Sequence, residues 1–148
     1  MTRDNLRKDA DYIIRRSIAA VMPDEAVKRT LAGKNFDDGK IVLVAAGKAA
    51  WQMADAAHMV LGSRIDKGVV ITKYDHIKGS IGDFKLYEAG HPIPDENSFK
   101  ATQAAVDAVE GLTKKDAVIF LLSGGGSALF EKPLIKRSEL ARLTEELL

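Results

Sequence analysis

Apolar positions along this chain switch between two spacings. From Asn5 to Met22 they fall three and four residues apart, at Leu6, Ala10, Ile13, Ile14, Ile18 and Val21, which predicts an amphipathic helix with one inward stripe. Pro23 ends that helix and opens a second one through Leu31, with Asp24 and Glu25 at the positive end of its dipole. A polar loop, Gly33 to Gly39, leads into the unbroken apolar run Ile41-Val42-Leu43-Val44-Ala45-Ala46. A run of that length, rich in β-branched residues, predicts a strand buried on both faces.

The alternation then repeats. Lys48 to Leu61 reads as a helix with the inner stripe Ala50, Met53, Ala54, Ala57, Val60 and Leu61, stopped by Gly62. Gly68 to Thr72 reads as a second strand, Lys73 to Asp83 as a loop, and Lys85 to Ala89 as a third strand. The two prolines of Gly90-His91-Pro92-Ile93-Pro94 stiffen a turn. Asp95 or Asn97 is placed to cap a helix running to about Val109, with Phe99, Val106 and Val109 inward. Ala117 to Leu122 is the most apolar strand, and Ser138 is placed to cap a last helix carrying Leu140, Leu143 and Leu147. Strands that alternate with helices predict an α/β fold: a mainly parallel, Rossmann-like sheet with helices on both faces.

Composition adds limits to this picture. The chain has 148 residues, 46% hydrophobic and 29% charged, with a net charge of +1. So balanced a charge makes no basic field for nucleic acid. The absence of cysteine excludes disulfides, thiolate metal sites and a cysteine nucleophile, and it fits a reducing cytoplasm. No apolar stretch is long enough to span a bilayer, so no membrane partner is expected. The last apolar stripe still runs at Leu148, a pattern that fits either an incomplete domain or a docked C-terminal helix.

Ligands of parallel α/β sheets bind beyond the carboxyl ends of the strands. Three segments are expected there. In Ser123-Gly124-Gly125-Gly126-Ser127, glycines let the backbone approach a ligand, successive N–H groups can form an anion nest, and two hydroxyls add donors. A tight turn with no ligand is the plain alternative. Lys48, after Gly47, brings an ammonium to the same edge, where it can steady a phosphoryl group or a carboxylate, with an ordinary solvent-facing lysine at a helix start as the plain alternative. Val42 and Ala49 stand where a Walker A motif requires glycine and Ser or Thr, so this is no P-loop. His91 is a base, a substrate hydrogen-bond partner or a packed turn residue, and Asn97 with Ser98 caps a helix first and meets ligand second. Trp51 is read as packing, and His58 and His76 lack metal-ligand spacing and receive no role.

Three stretches in order resemble the glycerate 2-kinases, a family whose members are often labelled hydroxypyruvate reductases. They are Ala46-Gly47-Lys48-Ala49-Ala50, Gly90-His91-Pro92-Ile93-Pro94-Asp95-Glu96-Asn97-Ser98, and Leu121-Leu122-Ser123-Gly124-Gly125-Gly126-Ser127-Ala128-Leu129. The resemblance implies that residues 1–148 are the first part of an N-terminal α/β domain, with a second domain outside this sequence. It implies phosphoryl transfer from ATP to D-glycerate, giving 2-phosphoglycerate, with magnesium. It also implies a substrate or phosphate role for Lys48 and the Ser123 to Ser127 turn. No metal ligands are identified, homo-oligomerisation is left open, and these 148 residues alone are expected to lack normal kinase activity. Two other readings stand beside it: an NAD(P)H-dependent hydroxypyruvate reductase and a non-catalytic phosphosugar- or nucleotide-binding module. Against the reductase, Ala49 and Gln52 replace the later glycines of a dinucleotide fingerprint at Gly47, and Leu129 replaces the last one after Gly124 and Gly126.

Overall fold

The structure, a computed structural model, describes residues 3–147. Its elements in chain order are α1 (Arg3–Ala20), α2 (Pro23–Leu31), β1 (Ile41–Ala46), α3 (Ala50–Leu61), β2 (Lys67–Lys73), β3 (Lys85–Ala89), α4 (Glu96–Val109), β4 (Ala117–Leu122), the single turn α5 (Gly126–Leu129) and α6 (Arg137–Leu147). The four strands form one all-parallel sheet in the order β3-β2-β1-β4. The expected parallel α/β architecture is therefore present, and no helix among the described residues is long and apolar enough to cross a membrane.

Period-two alternation divides the core. Ile41, Leu43 and Ala45 of β1 meet α2 and α3 on one face, while Val42 and Val44 meet α4 and Leu129 of α5 on the other. All six β1 residues are buried, so the unbroken apolar run does mark a strand covered twice. The helices lie close because their contact faces are small: Ala50, Ala54 and Ala57 on α3, and Ala101, Ala105 and Ala108 on α4.

The β2 to β3 connection is unusual for a parallel pair. Residues 74–84 cross over without a helix. Ile81 and Phe84 pack into the α3 side of the core, so this loop covers part of the face that a crossover helix would cover.

Several sequence expectations need correction, among them Val60 of the α3 stripe, which is exposed. The stripe of α1 is left open among the described residues: no residue of α1 is buried, and Ile13, Ile14 and Ile18 are all more than half exposed. Periodicity forms a helix locally but does not supply a partner for it. On α4, Phe99 is buried as expected, but Val106 and Val109 are only partly so, because the alanine face lies against the sheet. Strand β4 is an edge strand in which Val118, Phe120 and Leu122 are exposed while Ala117, Ile119 and Leu121 are half-buried. Ser138 is the second residue of α6, not its cap, and α6 buries no residue. Contact between α6 and the body runs through Arg137, which pairs with Glu96 at 2.7 Å and lies over the Phe99 ring.

The two ends of the sheet are finished differently. At the amino end, Asp66 accepts the Ile41 N–H at 2.8 Å and Asp116 accepts the Lys40 N–H at 2.7 Å, closing the start of β1. At the carboxyl end, the turns after β1 and β4 lace to each other and leave donors free.

Candidate functional site

Gly47 is the hinge of that lacing. Its φ of 119° suits glycine, and a Cβ there would collide with the Ser123 backbone and hydroxyl. The close approach allows four hydrogen bonds: Gly47 N–H to Ile71 O (3.1 Å), Lys48 N–H to Gly124 O (2.9 Å), Ser123 N–H to Ala46 O (3.0 Å), and Ala49 N–H to Ser123 Oγ (3.0 Å). The helix α3 starts at Ala50, two residues later than the pattern of Lys48 to Leu61 predicts, because residues 47–49 make this turn.

The lacing decides which N–H groups remain for a ligand. Those of Lys48 and Ala49 are consumed, and the Ser123 hydroxyl serves as the acceptor that holds the turn. In contrast, the N–H groups of Gly125, Gly126 and Ser127 donate to no acceptor among the described residues. Gly125 has φ 84°, and a Cβ there would stand 2.6 Å from His91 Nε2 and 3.3 Å from Lys48 Cε. The imidazole of His91 and the stem of Lys48 thus converge over Gly125. These three segments are more than thirty residues apart from one another, and the parallel sheet brings them to one corner.

Charge follows the geometry. Burial first, then the ammonium groups of Lys48 and Lys73, hold His91 below its ordinary pKa of 6.5. His91 is therefore neutral at pH 7, offering a hydrogen bond while the two lysines carry the positive charge. The corner brings the Lys48 and Lys73 ammonium groups near N–H donors, which suits a phosphate or carboxylate.

Beside it, Asp95 is the N-cap of α4. It accepts the Ser98 N–H at 3.0 Å while Ser98 Oγ accepts the Asp95 N–H at 3.0 Å, a reciprocal capping box. Tyr74 Oη–H donates to Asp95 Oδ2 at 2.6 Å, and Asn97 Nδ2 donates to the Tyr74 hydroxyl at 2.9 Å. Burial raises the Asp95 pKa, but the bonds from Tyr74 and from the Ser98 and Gly90 N–H groups outweigh it and hold the carboxyl below 3.8. Asn97 is exposed, and its amide nitrogen is engaged with Tyr74. Of the two sequence candidates for the cap, Asp95 takes the position.

Several residues of the corner carried no sequence signal. Lys73, Tyr74, His76 and Glu88 lie on the end of β2, the crossover loop and β3, where no period or motif singles them out. His76 Nδ1 lies 2.9 Å from the Lys48 carbonyl oxygen, and Trp51 Nε1–H donates to Gly79 O at 2.8 Å. A cavity of about 310 Å³ opens between Lys48, Trp51, Gln52, Asp75, His76 and Lys78. Larger hollows elsewhere, such as the one of about 550 Å³ between α4 and the start of β2, lie away from this convergence.

A parallel α/β sheet with a glycine-built, lysine-bearing corner at its carboxyl edge defines the class. Residues 9–148 match the family described as a domain of unknown function, DUF4147, and the chain belongs to that family. It is 54% identical to the D-glycerate 2-kinase of Thermotoga maritima over 98% of this chain and 35% of that one. The crystal structure of glycerate kinase from Thermotoga maritima superposes with a TM-score of 0.91 at 53% identity, covering 97% of this chain and 35% of that chain. A crystal structure of a Pyrococcus horikoshii protein superposes with a TM-score of 0.83 at 36% identity, covering 96% and 34%. The resemblance to glycerate 2-kinases read from three short motifs is borne out, and the chain spans about a third of the length of the relatives it matches.

Proposed function

We propose that this chain forms the phosphate-binding wall of an ATP-dependent kinase that converts D-glycerate to 2-phosphoglycerate. The observation that carries the reading is the meeting of Lys48, His91 and the free N–H groups of Gly125 to Ser127 at one corner. Phosphoryl transfer asks a protein chiefly to position two reactants and to neutralise charge spread over the phosphoryl oxygens. Lys48 supplies the mobile positive charge, the glycine turn supplies fixed dipoles, and neutral His91 orients the bound group by a hydrogen bond. Ser123 acts by holding the two turns together, and the exposed Ser127 and Asn97 are assigned to the substrate's remaining oxygens. The opposite wall of the cleft comes from a second α/β domain of the kind that the relatives' greater length accommodates.

Among the described residues no group of three or more His, Asp or Glu side chains is placed to hold a metal ion. Magnesium that accompanies ATP therefore meets no preformed cage among the described residues. Hydride transfer finds no support in the geometry, since neither glycine turn carries a dinucleotide fingerprint.

The test is a chimera in which this chain replaces the matching third of the Thermotoga maritima enzyme. The chimera is expected to phosphorylate D-glycerate with ATP and to oxidise no NADH with hydroxypyruvate. Lys48→Ala in it should lower kcat about 10²- to 10³-fold, with KM for glycerate changed far less. Unchanged kcat would sink the role of Lys48, and NADH oxidation would favour a reductase. Binding of phosphate compounds with no turnover would leave a non-catalytic module.

A further inference from the structure

We propose that His76 is a positioning residue for Lys48, fixing the lysine's backbone so that its ammonium starts toward Gly125 and His91. The proposal rests on the reading of Lys48 as an anion-binding residue. Lys48 is not held by a regular helix, because α3 begins only at Ala50. Its backbone is clamped from two sides instead. The N–H donates to Gly124 O at 2.9 Å, and the carbonyl oxygen faces His76 Nδ1 at 2.9 Å. A carbonyl can only accept, so this contact requires the tautomer with hydrogen on Nδ1. Thr72 Oγ1 reaches the same oxygen only at 3.5 Å, a longer and weaker second donor.

His76 can serve as a clamp because its own loop is strapped down. Glu88 Oε1 on β3 accepts the N–H groups of both His76 (3.0 Å) and Ile77 (2.9 Å). Three residues after His76, the Gly79 carbonyl accepts the Trp51 indole N–H at 2.8 Å. Residues 74–84 are thus tied to β3 through Glu88, to α3 through Trp51 and to the turn before α3 through Lys48, with Ile81 fully in the core. A lysine stem has several rotatable bonds, and a small change in the direction of Cα–Cβ moves its ammonium by more than the tolerance of a phosphate contact. His76 reduces that looseness at its root without touching the anion itself.

Two measurements on the 148-residue chain test this. Long-range ¹H–¹⁵N NMR of the neutral His76 ring is expected to show hydrogen on Nδ1 and none on Nε2; the opposite tautomer would overturn the proposal, and this reading needs no variant to fold. Calorimetric titration with inorganic pyrophosphate is the second. His76→Leu should weaken binding about fivefold at an unchanged melting temperature, and His76→Asn, whose amide nitrogen reoccupies the Nδ1 position, should restore it to within about twofold. Asn as weak as Leu would mean that Nε2 touches the anion directly, and would overturn a positioning role. Leu equal to the parent, with Lys48→Ala impaired, would overturn the inference alone. Lys48→Ala equal to the parent, or no pyrophosphate binding by the parent, would instead remove the reading of Lys48 on which the proposal rests.

Discussion

Strands β1 and β4 are neighbours of equal length and almost equal apolarity, Ile41–Ala46 and Ala117–Leu122, yet they live in different surroundings. Every β1 residue is buried, whereas every second β4 residue is exposed, with Phe120 touched on its open face by Phe130 at a ring separation of 5.4 Å. The turns that follow differ in the opposite sense. Gly47, after β1, leads into a turn whose Lys48 and Ala49 N–H groups are consumed by Gly124 and Ser123. Gly125, after β4, opens into a turn whose N–H groups are free. The central strand thus serves as the buried support, and the edge strand leads into the turn with free N–H groups. An apolar run states how much burial a strand can use, and the tertiary arrangement decides how much it receives.

That contrast can be broken most directly by a charge. Val44→Asp on β1 would bury an unpaired carboxylate and should cost more than about 4 kcal/mol, leaving the chain largely unfolded, while Phe120→Asp should cost about 1 kcal/mol or less. Urea unfolding followed by far-ultraviolet circular dichroism measures both; equal losses would show that β4 is covered as fully as β1. The turns give the next largest effect. Gly47→Ala places a Cβ against the Ser123 carbonyl at positive φ and should cost about 3 kcal/mol, whereas Gly124→Ala meets nothing within 4 Å and should stay within about 0.5 kcal/mol of the parent. A tolerant Gly47 would mean that the lacing of the two turns is looser than its hydrogen bonds imply.

The smallest effect is the titration of His91, which reaches from the β3–α4 connection over the turn after β4. His91 has a folded pKa below its ordinary value of 6.5, so the native state binds fewer protons than the unfolded state just below that pH. Its contribution to stability is therefore complete above 6.5 and is lost as the pH falls from 6.5 through the folded value. A bound phosphate should raise the His91 pKa, because the anion favours the imidazolium, so phosphate affinity should increase on acidification through the same window. The His91 ¹H–¹³C resonances, followed from neutral to acidic pH with and without phosphate, test this. A midpoint unmoved by phosphate would separate His91 from the anion corner.

Strand and helix identities, the parallel α/β class and the three carboxyl-edge segments were legible in the chain, because period, proline and glycine act through neighbours a few residues apart. The capping box at Asp95 was half legible: sequence named two candidates, and the backbone selected one. The roles of Tyr74, His76 and Glu88 were not legible, since each depends on a partner between 11 and 28 residues away.

By itself the sequence determined the alternation of strands and helices, the glycines that permit sharp turns at Gly47 and Gly125, and the presence of a lysine beside the first. Only the tertiary structure decided that Ser123 is a fastener, that Gly125 to Ser127 hold the free donors, and that His91 stands neutral over Gly125. The reason is physical. Local preferences set backbone angles within a few residues, whereas the use of a hydroxyl, an N–H or an imidazole is set by which distant group the sheet brings within about 3 Å of it.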